Sequence, residues 1–262
     1  MPPATKRSRS RGGGAGGLEY ISLDGLRIDG RRPTEVRKIR CSLGALSRAD
    51  GSAYYEQGNT RVLVAVYGPR EPHSRASIQH DRAVVKCEFS TAMFASPVYR
   101  RTWKGDRKST AAALVMQKAF EGVILTASYP KSQIDIYVQV LQNDGGALVA
   151  AINAASLALV NAGVAMSDFV VACSVGFVDD TFVVDPSSLE SASDRPELTL
   201  AVLSHSAKIA SCQLDSKLPD GESFERALEF ATSGANQIFK VLEYEVRKYS
   251  LNLLDSRGLV AL

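Results

Sequence analysis

The chain has 262 residues, of which 45% are hydrophobic and 23% charged, with a formal net charge of +3. That is enough apolar material for a sizeable buried core. A mean hydropathy of −0.05, with no apolar run near the roughly 18 residues of a membrane helix, predicts neither a membrane span nor a secretory signal.

Residues 1–17, MPPATKRSRSRGGGAGG, are too rich in Gly, Ser and Arg to form a core, and read as a disordered basic tail. The tail holds Lys6, Arg7, Arg9 and Arg11, so removing those four charges from +3 leaves the body near −1. Polyanion binding by the body then needs local patches, not a global field. Residues 18–262 are expected to form a single domain. Cys41, Cys87, Cys173 and Cys212 lie far apart without a CxxC, which fits reduced thiols in a cytosolic or nuclear protein. His73, His80 and His205 are dispersed, so neither a zinc spacing nor a His-centred triad is visible. No metal and no cofactor is expected.

Arg27, Arg31, Arg32, Arg37, Lys38 and Arg40 form a basic stretch near the start. It fits a partner or RNA face, and equally ion pairs with Asp29, Glu35 and their neighbours. Arg61–Tyr67 is apolar enough for a buried strand, and Val84–Ser90 alternates, with Val85, Cys87 and Phe89 on one face. Tyr99–Lys108 interleaves five cations with two aromatics ahead of a helix over Ser109–Thr126, which suits a loop that grips phosphates and stacks bases. A solvated charged face is the plainer alternative, and Trp103 is equally readable as a loop anchor. Gln133–Leu141 is the clearest strand, with Ile134, Ile136, Val138 and Val140 pointing one way.

Asp144-Gly145-Gly146 then breaks the chain, and Ala147–Ala162 follows as a helix apolar nearly all round, hence buried. Strands are predicted at Val170–Phe177, Thr181–Val184, Leu198–Leu203 and Lys208–Leu214. Asp179 and Asp180 sit in what reads as a hairpin turn. A last helix starts near Asp220 and carries Leu228, Ala231, Ala235, Ile238 and Leu242 along one stripe. The order of elements predicts a layered α/β (α+β) fold with mixed sheets.

Leu26–Ile39, Ala49–Pro72, Ser132–Gly146 and Asn161–Phe169 come in an order that resembles the RNase PH-like ring subunits of the RNA exosome, in particular the eukaryotic type related to the archaeal catalytic ring protein. The resemblance implies a ribosomal-protein-like βαβ fold. It also implies a hetero-hexameric ring with other RNase PH-like subunits, OB-fold and KH cap subunits, and single-stranded RNA threading toward a separate processive nuclease. Nucleus, nucleolus and cytoplasm are the implied compartments.

By the same resemblance Arg107 and Lys108 match the basic pair that grips RNA. Arg75 matches a basic position at the pore mouth, and Arg100 and Arg101 belong to the same loop. Active relatives follow the glycine turn with a small hydroxyl and an Arg that bind phosphate; here the stretch is Gly146-Ala147-Leu148. Losing a bidentate, charge-assisted contact costs about 2–4 kcal/mol, or roughly 30- to 1,000-fold. Active relatives also carry an Asp, then an acidic pair. Asp185 and Glu190 remain, while Ser191 replaces the last Asp. These losses predict a degenerate site: a structural, RNA-conducting subunit that is not an enzyme. The alternative is a phosphate-dependent 3′→5′ exoribonuclease. A metabolic α/β enzyme fits less well, since no nucleotide-binding glycine motif is present.

Overall fold

The computed structural model describes residues 20–22, 25–72, 79–96, 106–178, 181–191, 195–218 and 221–257. The basic tail, Arg75, Arg100, Arg101, Trp103, Asp179, Asp180 and Asp220 lie outside the described residues.

In chain order the strands are β1 (Ile39–Leu43), β2 (Gly51–Gln57), β3 (Thr60–Arg70), β4 (Val84–Thr91), β5 (Gln133–Gln142), β6 (Val170–Val178), β7 (Thr181–Val184), β8 (Glu197–Leu203) and β9 (Ile209–Leu214). The helices are α1 (Arg107–Glu121), α2 (Ala147–Ala162), the single turn α3 (Ser188–Ser191) and the long α4 (Gly221–Ser256). A five-stranded sheet runs β1-β2-β3-β5-β4, and a four-stranded sheet runs β7-β6-β8-β9. The first is mixed: β4 pairs with β5 in parallel, which requires the α1 crossover, while its other pairs are antiparallel. All pairs in the second sheet are antiparallel.

The alternation read from the sequence holds at the centre of the first sheet. Ile134, Ile136, Val138 and Val140 of β5 are buried beside Val62, Val64 and Val66 of β3. Two strands escape the periodicity reading. β1 is short, and β2 opens on Gly-Ser and carries Tyr54 and Tyr55, so neither shows a clean apolar run.

Helix α2 packs against β2 and β3 of one sheet and β6 of the other. This explains its composition, since a helix covered on several sides has no polar face to offer water. Its two buried polar residues replace backbone partners. The Asn153 side chain accepts from Ala172 N at 2.8 Å and donates to Ala172 O at 3.1 Å. Ser156 Oγ donates to Val170 O at 2.7 Å. All three bonds tie α2 to β6, and the buried amide and hydroxyl are thereby satisfied. Helix α4 packs along β6, β7 and β8 and reaches β1, burying Ala231, Ala235, Ile238 and Leu242 of the predicted stripe, while Leu228 is only partly buried and Ala227 beside it is buried instead.

The approach of β2 to α2 depends on Gly51. A Cβ there would lie 2.3 Å from Ala158 O and 2.5 Å from Ala162 N, so backbone rather than a flexible tip blocks it. Gly51→Ala should push the helix off the sheet and lower stability by about 1–3 kcal/mol, the usual cost of overpacking. Thermal unfolding checks this, and an unchanged Tm would mean that the β2–α2 contact yields freely.

Candidate functional site

The site grows from the basic stretch whose role the sequence left open. Two of its arginines are buried and bonded to the two carboxylates singled out from the sequence. Arg37 donates through its backbone N and its Nε to Asp185 Oδ2, both at 2.9 Å, and through Nη2 to Asp185 Oδ1 at 2.6 Å. Its remaining donors reach Asp144 O at 2.8 Å and Gly145 O at 3.2 Å. Arg27 donates through Nε to Glu190 Oε1 at 2.9 Å and also through Nη2 to Glu190 Oε2, and its Nη1 reaches Val184 O at 2.7 Å. Arg31 pairs with Asp29 at 3.0 Å, while Arg32, Lys38 and Arg40 are exposed.

Burial pushes the Asp185 carboxyl up, but the hydrogen bonds and charge of Arg37 outweigh it and hold the group below its ordinary value. Burial likewise raises Glu190, and Arg27 with the Ser187 N–H brings it below the usual range. The Ser187 N–H donates to Glu190 Oε2 at 2.8 Å. Both carboxylates are therefore ionised, buried and occupied by protein donors.

The Asp144-Gly145-Gly146 turn is held from several sides. Gly145 and Gly146 have φ of 89° and 64°, a region open to glycine at little cost. A Cβ on Gly145 would lie 2.8 Å from Pro186 O and 2.9 Å from Ser188 N, so the turn presses directly on the chain around Asp185. Thr60 Oγ1 donates to Gly145 O at 2.8 Å, and Ser188 Oγ donates to Asp144 Oδ1 at 2.7 Å. Helix α2 starts immediately after this turn with no side-chain cap, so the first-turn N–H groups lack the usual capping partner.

Across from it begins α1. Asp106 is its N-cap, again without a side-chain capping bond, and the first turn carries Arg107 and Lys108 and no acid. Both cations are exposed. Cations at the positive end of a helix oppose the macrodipole, and an anion there relieves both. A cleft of ≈ 540 Å³ joins the two helix starts, lined among others by Asp106, Lys108, Ser109, Asn143, Ala147 and Leu148. An adjoining cleft of ≈ 390 Å³ shares Ser96 and Asn143 with it and adds Asn59, Phe94, Asp144 and Ser188. Phe94 is 77% exposed on its lip.

The structure thus gathers Lys108, Ala147, Leu148 and Asp144 around adjoining clefts, and sets Asp185 and Glu190 apart from their linings as buried ion pairs. Ala147 and Leu148 bring neither hydroxyl nor guanidinium to the first turn of α2. Ser191 ends α3, where its Oγ donates to Glu197 Oε2 at 2.6 Å. Glu197, Phe94, Arg27 and Arg37 escaped the sequence reading as site residues. Arg27 and Glu190 are 163 residues apart, so only the fold reveals their pairing. Phe94 left a weak signal, an aromatic just ahead of a basic loop. Among the described residues no cluster of three or more His, Cys, Asp or Glu is placed to hold a metal ion.

The buried pairs make a pH prediction. A carboxyl held below its unfolded value stabilises the fold above that unfolded value, and the contribution is lost as pH falls through the folded one. With unfolded values of about 3.9 for Asp and about 4.3 for Glu, stability should decline below about pH 4. Asp185→Asn strands the Arg37 charge and should cost about 3–5 kcal/mol at neutral pH while flattening that acid limb. Denaturant unfolding across pH checks both, and an unaltered acid limb in the variant would show that Asp185 does not carry it.

Comparison with known proteins follows this geometry. Residues 35–165 match the model of the 3′ exoribonuclease family, domain 1, and residues 168–234 match domain 2 of the same family. The chain is 48% identical over 234 residues to the human exosome complex component RRP41, covering 89% of this chain and 95% of that protein. It is 41% identical over 220 residues to exosome complex component Rrp41 of the archaeon Methanopyrus kandleri, covering 84% and 91%. Among solved structures, rice Rrp46 superposes with a TM-score of 0.74 at 25% identity over 84% of this chain and 100% of that one. An Archaeoglobus fulgidus exosome chain, from a structure with RNA bound to the active site, gives 0.71 at 25% identity over 83% and 92%.

These matches overturn one expectation. From Ala147, Leu148 and Ser191 the sequence predicts a chain that is not an enzyme, yet the family that spans most of its length is one of exoribonucleases, and its archaeal Rrp41 relative belongs there too. The side chains at 147, 148 and 191 depart from the pattern of active relatives, while the first-turn N–H groups of α1 and α2 belong to the backbone and are still present. The chain belongs to the RNase PH-like 3′ exoribonuclease family, among its exosome core subunits.

Proposed function

We propose that this chain works as a ring subunit of a phosphate-dependent 3′→5′ exoribonuclease, with other RNase PH-like subunits as neighbours and single-stranded RNA as substrate. Cap subunits and a separate processive nuclease belong to the same proposal, as does work in nucleus, nucleolus and cytoplasm. The observation that carries it is the cleft of ≈ 540 Å³ into which both helix starts open, with Lys108 at one side and Ala147 and Leu148 at the other.

Phosphorolysis needs an inorganic phosphate beside the last phosphodiester and cations along the RNA backbone. Two uncapped helix N-termini supply dipoles and N–H donors for the first task. Arg107 and Lys108 supply charge for the second. Arg75, Arg100 and Arg101 are assigned to the same backbone path from the sequence alone. With Leu148 in place of a guanidinium, phosphate is held without its strongest contact, so its KM should be roughly 30- to 1,000-fold above that of an Arg-bearing relative.

The test uses the assembled ring, poly(A) and inorganic phosphate. The expected result is release of nucleoside diphosphates that rises with phosphate concentration. A ring that shortens RNA no faster with phosphate than without it contradicts the reading. Replacing Arg107 and Lys108 with Glu should weaken RNA binding and flatten the dependence of log K on log salt by about 0.7 per lost contact. Wild-type affinity and slope in a well-assembled double variant would remove these two residues from the RNA path.

A further inference from the structure

The outer face of the first sheet carries a polar cluster far from the clefts. Strand register sets its layout. Across β3, β5 and β4 stand Tyr67, Asp135 and Lys86 in one row, and Ala65, Tyr137 and Glu88 in the next. Val85, Ile134 and Ile136 point the other way, into the core with Met116 and Phe120 of α1. Although it lies on the outer face, Asp135 is only 3% exposed, and Gln133, two residues earlier on that face, only 2%. Asp135 accepts from Arg70 Nε at 3.1 Å and also from Arg70 Nη2. Arg70 lies over the Tyr67 ring at 5.3 Å, and Tyr67 meets Tyr137 edge-on at 5.8 Å.

Gln133 Nε2 donates to Asp135 Oδ1 at 2.5 Å. A carboxylate only accepts, so the amide is fixed this way round and Gln133 Oε1 is its remaining end. That oxygen is buried and has no partner among the described residues, a costly state for an amide inside a fold. Gln133 lines a pocket of ≈ 110 Å³ bordered by Lys86, Glu88, Asp135 and Tyr137. Lys86 does not supply the missing bond. The Glu88 carboxylate is exposed at the rim and forms no ion pair among the described residues.

We propose that this pocket receives a lysine side chain from a neighbouring subunit of the assembly. The inference rests on the ring reading. At about 30 Å³ for each water-sized group, the pocket holds a chain end of three or four heavy atoms and excludes a nucleotide. Its amide oxygen, carboxylate and phenol all accept. An ammonium brings three donors, no acceptor and freedom to turn toward partners out of one plane, whereas a guanidinium is a rigid planar fork. Glu88 supplies the opposite charge. Around the pocket Tyr54, Leu63, Tyr67 and Tyr137 of the same face are half-buried, and a tyrosine-rich surface suits the centre of a protein interface. A protein surface therefore fits this face better than a free amine.

The experiment is carbodiimide coupling on the assembled ring with its cap subunits. The reagent joins a carboxylate to an amine only where the two already touch, and mass spectrometry of the linked peptides reads the pairs. The expected product is an amide between Glu88 and a lysine of another subunit, present in the wild type and lost in Glu88→Gln. Gln133→Leu removes the buried acceptor and should lower the yield of that amide about fivefold. If Gln133→Leu does not assemble, Tyr137→Phe decides, since it removes one oxygen and should lower the yield in the same direction. No amide at Glu88, an amide only to Lys86 of the same chain, or an undiminished yield in the deciding variant overturns the pocket and leaves the ring standing. A chain that light scattering finds monomeric with every RNase PH-like partner overturns both.

Discussion

One guanidinium organises the site. Arg37 sits just ahead of β1, and its donors reach the carboxylate of Asp185 and the carbonyls of Asp144 and Gly145. A buried charge is tolerated only when it is paired and fully hydrogen-bonded, and here those bonds converge on three separate stretches of chain. One side chain ties the start of the first sheet, the turn before α2 and the end of β7 to one another, and Thr60 and Ser188 brace the same turn. Arg27 repeats the arrangement one step outward, joining the N-terminal segment to Glu190 and to the carbonyls of Val184 and Asp185. The core supplies the free energy of folding, but these two arginines set where the turn and the α3 segment stand.

That division explains how the site can lose individual side chains and keep its shape. The glycine turn and the uncapped starts of α1 and α2 are backbone features, and the electrostatics of those helix starts come from peptide dipoles. Ala147 and Leu148 leave those dipoles untouched while removing a hydroxyl and a guanidinium. The expected consequence lies in affinity rather than in architecture: an anion site that still exists but binds weakly.

Much of the fold was legible because the patterns are strong. Gly145-Gly146 before an Ala-rich run placed the start of α2 at Ala147, and the alternation in β5 was readable residue by residue. Strands β1 and β2 were not: β1 is short and only half-buried, and β2 owes its burial to Gly51 pressing on α2 and to Tyr55 within the core, neither of which shows as a period of two. The site was half legible. Asp185, Glu190, Lys108 and the glycine turn were reached through the family resemblance of their motifs, since the charge run alone also fits a solvated face. What they bond to did not, since Arg27 with Glu190 and Arg37 with Asp185 are pairings that only the chain path creates. The basic stretch around Arg37, ambiguous as a sequence, divides cleanly by burial: Arg27 and Arg37 are structural, while Arg32, Lys38 and Arg40 face solvent.

If Arg37 is the element on which the site depends, removing the pair without leaving a stranded charge should loosen the turn alone. Removing both charges of a buried ion pair leaves neither stranded, and Asn tolerates the left-handed backbone of Asp185 (φ 53°), so Arg37→Met combined with Asp185→Asn isolates the positional role. Hydrogen–deuterium exchange on the double variant, resolved by peptide, is the direct measurement. The account predicts faster exchange over residues 143–148 and 185–190, with α2 beyond its first turn and the centre of the first sheet exchanging as in the wild type. Wild-type exchange across those two segments would contradict it and assign the position of the turn to packing alone.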